Sequence, residues 1–234
     1  IKHDLAGVIF KDPESGDDPL VGWQTADEYL SGKVREKLKI ARRAAERDPV
    51  YAINVEALEK VQPKDLTAGE IGVRLGTTWI PEDVIEDFTF ELLGTPWQYQ
   101  HRIHIRYSKV TGEWNVSEKS IDRSNIRSYN TYGTGRINAY KIIEDTLNLR
   151  DVRIFDTFQD ADGREQRVLN KKETAIAQDK QDLIKQKFQE WIWAEPNRRE
   201  RLCRIYNDKF NSIRPREYDG SHIVFAGMNP EKKL

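Results

Sequence analysis

The sequence predicts an α+β fold that is rich in helix, with short antiparallel hairpins and a C-terminal pair of helices. Apolar residues recur at helical spacing in several segments, as Val34, Leu38 and Ala41 do within residues 33–47. Residues 102–107 instead alternate strictly between basic and apolar side chains, which is typical of a half-exposed strand. Both periods occur in one chain and the strand-like runs are short, so we expect helices packed with small antiparallel sheets.

The N-terminal part, residues 1–96, is expected to be mainly helical after a first strand at 5–10. Thr25 and Glu28 match the capping box that begins a short helix. Asn54 is expected to cap a later helix, because a side-chain oxygen at that place can accept a free backbone N–H. Prolines and glycines mark the ends of these helices. The longer helices expected here are 33–47, 54–62 and 81–93.

The middle part, residues 97–170, is expected to hold two hairpins with a helix between them. Gly112 separates the alternating run from residues 113–116, which predicts the first hairpin. The second hairpin joins 152–158 to 167–169 across a turn rich in Asp and Gly. The helix expected between the two hairpins covers 137–149.

The C-terminal part, residues 171–234, is predicted to be a pair of helices at 171–194 and 196–211, followed by a tail. We expect this part to pack with the other two in one compact module. The side chains expected to face inwards from the two helices are Ile176, Leu183, Ile184, Phe188, Trp191, Ile192, Leu202, Ile205, Tyr206 and Phe210.

Composition excludes several classes of protein. The chain has 234 residues, and its 38 Lys+Arg and 39 Asp+Glu leave a formal net charge of −1. No run approaches the ~18 apolar residues that a membrane span needs, so we expect a cytoplasmic protein without a membrane partner. Cys203 has no second cysteine to form an internal disulfide. Residues 164–216 hold 14 basic and 8 acidic side chains, which allows a nucleic-acid face there.

Known catalytic and metal-binding motifs are missing from the sequence. It contains no phosphate-binding loop of the G-x-x-x-x-G-K-[ST] type. The glycine loop at 132–136 lacks a third glycine and a preceding strand, which favours a tight turn over a phosphate site. Residues 48–51, Asp-Pro-Val-Tyr, are interpreted as a helix stop. His101 and His104 would lie on opposite faces of a strand, so no zinc site is expected.

Basic and aromatic residues alternate in the middle of the chain and recur near its end. Arg102 and Arg106 share one face of the first hairpin, and a segment rich in Ser, Thr and Asn follows it. Guanidinium groups and aromatic rings are what proteins use to hold phosphates and to stack on bases. The alternative is a solvated sheet edge, with tyrosines in the core and arginine stems along apolar surface. The predicted nucleic-acid contacts are Arg102, Arg106, Arg127, Tyr129, Tyr132, Arg136, Arg198, Arg201 and Arg204.

Six segments, spread over most of the chain, carry a family resemblance. They are DEYLSGKVREKL at 27–38, LGTTWIP at 75–81, YGTGRINAY at 132–140, KKETA at 171–175, FQEWIW at 188–193 and FAGMNP at 225–230. With these segments the chain resembles the region that joins the adenine-specific DNA methylase part to the Swi/Snf-type helicase part in very large proteins of bacterial conjugative elements and phages. In that family the chain beyond a segment like GMNP at 227–230 enters the helicase core. We therefore expect this chain to be an internal domain of a longer protein.

The resemblance implies a function without supplying catalytic residues. ATP and S-adenosylmethionine are implied for the parent protein, but the motifs that bind them match no position here, so no cofactor or catalytic residue is expected in this chain. We expect a non-catalytic module that contacts DNA or couples domains, with DNA and the neighbouring methylase and helicase domains as its partners. One alternative is a structural spacer that packs on those catalytic domains. Another is a minimal nuclease or methylase fragment, for which no motif is present.

Overall fold

The computed structural model describes residues 7–16, 18–159 and 163–216. The beginning of the first predicted strand, the turn of the second predicted hairpin and the tail segment at 225–230 therefore lie outside the described residues. The fold is α+β, with helices and two-stranded antiparallel sheets, as predicted. No helix in the described ranges is both long and apolar enough to cross a membrane.

The chain forms two compact units. The first comprises Ile1–Leu66 and Tyr206–Leu234, and the second comprises Thr67–Ile205. The three sequence-based parts, 1–96, 97–170 and 171–234, follow the order of the chain, whereas the two units group residues by packing. All nine side chains predicted to contact nucleic acid belong to the second unit.

In its described residues, the first unit consists mainly of short strands and helices. Its elements are β1 (Ile9–Lys11), β2 (Trp23–Thr25), α1 (Ala26–Tyr29), α2 (Val34–Arg47) and α3 (Ala52–Lys60). Strands β1 and β2 pair antiparallel, and α2 packs its predicted apolar stripe inwards. The buried core of this unit is Phe10, Tyr29, Val34, Leu38, Ala41 and Leu58.

Asn54 does not cap a helix, which corrects the prediction from sequence. A single 3₁₀ turn, capped by the Asp48 side chain, comes first, and α3 then begins at Ala52. Asn54 is buried inside α3, where its amide donates hydrogen bonds to the Lys11 carbonyl (2.8 Å) and to Tyr29 Oη (2.9 Å). Burial raises the pKa of Tyr29 to about 12. Asn54 therefore ties α3 to β1 and α1, because a buried amide needs partners more than an exposed helix end does.

The second unit places small hairpins beside longer helices. Its elements are α4 (Glu82–Leu93), α5 (Trp97–Gln100), β3 (Ile105–Ser108), β4 (Glu113–Val116), a π-helical turn (Arg127–Thr131), α6 (Ala139–Leu147), β5 (Phe155–Gln159), β6 (Glu165–Leu169) and α7 (Lys171–Ile192). Helix α8 (Pro196–Phe210) begins in this unit and ends in the first. Strands β3 and β4 pair antiparallel, as do β5 and β6, so both predicted hairpins are present.

Helix α7 binds the chain before β5 through buried polar side chains, which the apolar pattern did not predict. Thr174 Oγ1 accepts a hydrogen bond from the Ile154 amide (2.9 Å). Gln181 accepts one from the Val152 amide (3.2 Å) and donates one to the Arg150 carbonyl (2.8 Å). Residues 152–154, predicted to be strand, thus pair with α7 instead of β6.

Two side chains predicted to face inwards are exposed instead. Ile176 is 38% exposed because Thr174 and Ala177 occupy the buried positions of that turn of α7. Phe210 is 53% exposed at the end of α8, where its ring packs against Tyr206 at 5.1 Å between centroids and Lys209 Nζ lies over it at 5.7 Å. Helical periodicity located both helices correctly. It did not identify the buried positions near the start of α7 and at the end of α8.

Glu144 joins α6 to the first hairpin and is almost fully buried. Its carboxylate accepts hydrogen bonds from the Val116 amide (3.0 Å), Lys119 Nζ (2.5 Å) and Lys141 Nζ (2.9 Å). Burial alone would raise the pKa of Glu144, but these three donors outweigh it and hold the pKa below the ordinary glutamate value. The charged form is therefore the form that stabilises the fold.

We expect Glu144→Gln to lower the free energy of unfolding at neutral pH by about 1.5–3 kcal/mol, the range for hydrogen bonds to charged groups. A group with a depressed folded pKa stabilises above its unfolded pKa and loses that contribution as pH falls through the folded value. The difference between wild type and variant should thus shrink in acid. Urea melts at about pH 7 and about pH 3 measure it. Exposed Glu118, changed to Gln, is the control, and an equal loss in both variants would contradict the buried network.

Candidate nucleic-acid interface

Strand β3 begins at Ile105 and not at residue 102 as predicted, so Arg106 lies on the first hairpin and Arg102 lies before it. Both arginines lie near carboxylates of the same unit. Arg106 Nη1 lies 2.8 Å from Glu86 and 3.5 Å from Glu82, both on α4. Arg102 lies 4.0 Å from Glu118, and both side chains are more than half exposed. The predicted alternation is present, since Ile103 and Ile105 are buried while Arg102 and Arg106 are exposed. Arg106 nevertheless ties β3 to α4, and its positive charge is already matched by Glu82 and Glu86.

The three predicted arginines of α8 each have a different local environment. Arg201 forms a forked pair with Asp83 of α4, at 2.6 and 3.2 Å, and its hydrogen bond lowers the pKa of Asp83. Arg204 is exposed and pairs with Glu200 one turn away at 2.7 Å. Arg198 donates to the backbone carbonyls of Trp191 (2.6 Å) and Ile192 (3.1 Å) at the end of α7. Arg198 therefore stabilises the C-terminal end of that helix.

The predicted residues Tyr129 and Arg136 have structural partners as well. Arg136 Nη1 bonds Asp156 Oδ1 at 2.8 Å and its Nη2 donates to the Phe155 carbonyl at 3.0 Å, so Arg136 fastens β5. Tyr129 is half-buried, and its hydroxyl accepts a 3.4 Å hydrogen bond from the Asn138 amide. The structure thus assigns each of these residues to a contact within the second unit.

Arg127 and Tyr132 are the two candidates that the structure brings together. They line a surface groove of about 290 Å³ between α4 and α7, which we name the Trp191 groove. The groove is lined by Phe88, Glu91, Leu92, Arg127, Tyr132, Lys187, Glu190 and Trp191. Arg102, Arg106, Arg136, Arg198, Arg201 and Arg204 are not among these lining residues.

The end of α4 positions Arg127. Gly94 ends the helix in a left-handed conformation (φ 59°), and Asn125 Nδ2 donates to the Leu93 carbonyl at 2.9 Å. These contacts hold the segment that leads into the π-helical turn, where Arg127 is the first residue. A Cβ at Gly94 would lie only 3.2 Å from Arg127 Nη1, so the guanidinium group rests directly against the helix end.

The charges in the Trp191 groove are unevenly matched. Lys187 Nζ pairs with Glu190 at 2.8 Å, and Glu91 Oε2 accepts a 2.6 Å hydrogen bond from Trp191 Nε1. The Arg127 guanidinium forms no ion pair with any carboxylate in the described ranges. A charged arginine in an open groove with three aromatic residues can bind an anion without breaking an internal pair.

A second groove, of about 540 Å³, is also lined by Trp191. It shares Glu91 and Trp191 with the first groove and adds Arg198 and Asp87. Burial, with the neighbouring charges of Asp83 and Glu86, raises the pKa of Asp87. The second groove has two carboxylates, Asp87 and Glu91, and one cation, Arg198, whereas the Trp191 groove has two of each. The second groove is therefore less suited to phosphate.

The sequence had not marked Trp191 and Lys187 as site residues. Both lie on α7, four residues apart, so they occupy one face of the helix. A lysine and a tryptophan at this spacing on a helix could have indicated a binding site. The apolar stripe of α7, however, predicts a core position for Trp191. Trp191 is in fact half-buried and lines both grooves.

A family model described as a domain of unknown function (DUF8437) matches residues 74–212, more than half of the chain. The chain belongs to the DUF8437 family. Every residue that lines the Trp191 groove lies within the matched DUF8437 region. No curated protein and no solved structure matches the chain. Within the described part of the chain, no group of three or more His, Cys, Asp or Glu side chains could hold a metal ion.

Proposed function

We propose that this chain is a non-catalytic DNA-contacting module that couples the methylase and helicase parts of a larger bacterial protein in the cytoplasm. The observation that carries the proposal is the position of Arg127, which has no carboxylate partner among the described residues and lies in one groove with Tyr132 and Trp191. Cations supply the phosphate affinity of DNA-binding proteins, and aromatic rings supply contacts to bases. The link to a methylase and a helicase rests on the sequence resemblance.

A structural spacer is the second candidate, because several predicted DNA contacts are already neutralised. Arg106, Arg136 and Arg201 each bind a carboxylate at 2.8 Å or less. The β5–β6 hairpin also exposes apolar side chains that a neighbouring domain could cover. These exposed side chains are Phe155, Phe158, Val168 and Leu169. A spacer would need no affinity for DNA, so a binding measurement separates the two candidates.

Binding of the whole chain to labelled DNA tests the proposal by fluorescence anisotropy. We expect affinity at ~50 mM salt that falls steeply towards ~200 mM, because phosphate contacts release bound counterions. Arg127→Ala should weaken binding to all sequences alike and flatten the log-affinity against log-salt slope by about 0.7–0.9. Arg136 is left unchanged in this experiment, since it holds β5.

Arg204→Ala is the matched control for that variant. Arg204 is exposed, pairs with Glu200 of its own helix and does not line the groove, so its removal should leave the slope unchanged. A flatter log-affinity against log-salt slope in Arg204→Ala, together with an unchanged slope in Arg127→Ala, would contradict a contact through the groove. A wild-type titration that stays flat at ~50 mM salt would contradict DNA binding and favour the spacer.

A further inference from the structure

The Trp191 ring is a fixed platform. Its Nε1 donates to Glu91 Oε2 at 2.6 Å, which pins one edge of the ring. The Arg198 guanidinium lies 3.4 Å from the ring centroid, and Phe88 packs at 5.4 Å with a tilt of 56°. A side chain that is already immobile loses little conformational freedom when a ligand stacks on it, so binding to it is less costly.

Part of this platform lines a groove that is open to a ligand. Arg198 covers one side of the ring and lines only the second groove. Trp191 also lines the Trp191 groove, where Phe88, Tyr132 and Lys187 are further lining residues. Three aromatic side chains thus line the groove, namely Phe88 of α4, Tyr132 just after the π-helical turn and Trp191 of α7. Arg127 lies beside them, against Gly94 at the end of α4.

We infer that the Trp191 groove holds an unstacked base of single-stranded DNA, which stacks beside Trp191 and Tyr132 while an adjacent phosphate binds Arg127. This inference rests on the proposed function and names its substrate. Bases of a duplex stack on their neighbours, whereas single-strand sites offer aromatic surfaces to bases that are free. The carboxylates of Glu91 and Glu190 in the same groove further disfavour the dense phosphates of a duplex.

Three variants of the whole chain test the inference, each compared with wild type on a labelled oligothymidylate strand and on a duplex of equal length. We expect wild type to bind the single strand at least roughly tenfold more tightly. Trp191→Leu removes the aromatic surface and keeps apolar bulk, so single-strand affinity should fall roughly tenfold while duplex affinity stays unchanged. Tyr132→Leu should act in the same direction.

Trp97→Leu is the matched control, because Trp97 is 80% exposed on α5 and lines neither groove. A 2-aminopurine base in the strand adds a direct reading, since stacking on Trp191 should quench its fluorescence in wild type and in Trp97→Leu only. Circular dichroism melts check that each variant is folded. If Trp191→Leu does not fold, Tyr132→Leu decides the result.

The possible outcomes separate the two proposals. Equal affinity for single strand and duplex, or folded groove variants that bind the single strand as wild type does, would overturn the inference and leave the DNA-contacting function standing. The absence of binding to either form of DNA would overturn both. Selective loss of single-strand binding and of quenching in the groove variants alone supports both.

Discussion

Gly133→Ala is expected to destabilise the second unit by at least about 3 kcal/mol, because the new methyl group has no room. A Cβ at this position would lie 2.1 Å from the Ser128 carbonyl oxygen, 2.9 Å from the Ala139 nitrogen and 3.0 Å from the Ile137 carbonyl oxygen. All three atoms belong to the backbone, so no side-chain rotation can relieve the clash. The π-helical turn and the start of α6 would have to move apart.

Gly135→Ala, two residues further on, is a closely matched control. A Cβ there meets no atom within 4 Å, and its φ does not require glycine. We expect a change within about 0.5 kcal/mol, and the lower flexibility of the unfolded chain favours a small gain. Urea unfolding of both variants gives the comparison. If the two variants agreed within ~1 kcal/mol, the close packing around Gly133 would be wrong.

The same loop shows what the sequence could and could not predict. Two glycines before a helix predicted a tight turn, and the structure has one, closed by the hydrogen bond from the Thr134 amide to the Ile137 carbonyl (2.7 Å). The pattern did not reveal that Gly133 is packed against backbone while Gly135 is open. That difference depends on the π-helical turn folding back onto α6, which no local signal encodes.

Helix positions were predictable because their signals are local. The bounds of α2 and α7 agree with prediction to within two residues, and Asn170 caps α7 through the Glu173 amide at 3.0 Å. Buried polar contacts such as those of Asn54 and Gln181 were missed. Their partners come from other elements, so the residue type alone favours an exposed position.

The candidate site was predictable in part for the same reason. Arg127 and Tyr132 lie close in sequence, and the structure keeps them in one groove. Arg201 looked equivalent to Arg127 by residue type and setting, yet its forked pair with Asp83 depends on α4 packing beside α8. A basic pattern therefore identifies cations, whereas only the fold shows which of them are already neutralised.

Phe188→Ala is expected to lower the free energy of unfolding by about 3–5 kcal/mol, because it empties part of the core between α4 and α7. Phe188 is fully buried, and its ring meets Phe88 edge-on at 5.0 Å between centroids. Chemical denaturation of the whole chain, followed by circular dichroism, measures the loss.

Trp191→Ala provides the contrast, since the two residues lie one turn apart on α7. The sequence placed both on the inner face, which predicts a similar loss for each. The structure leaves Trp191 half-buried, with part of its ring in the groove, so we expect a smaller loss of roughly 1–2 kcal/mol. Equal losses would show that Trp191 is a core residue and would remove the case for a ring free to stack. A smaller loss at Trp191, with reduced affinity for single-stranded DNA in the folded variant, would instead separate stability at Phe188 from binding at Trp191.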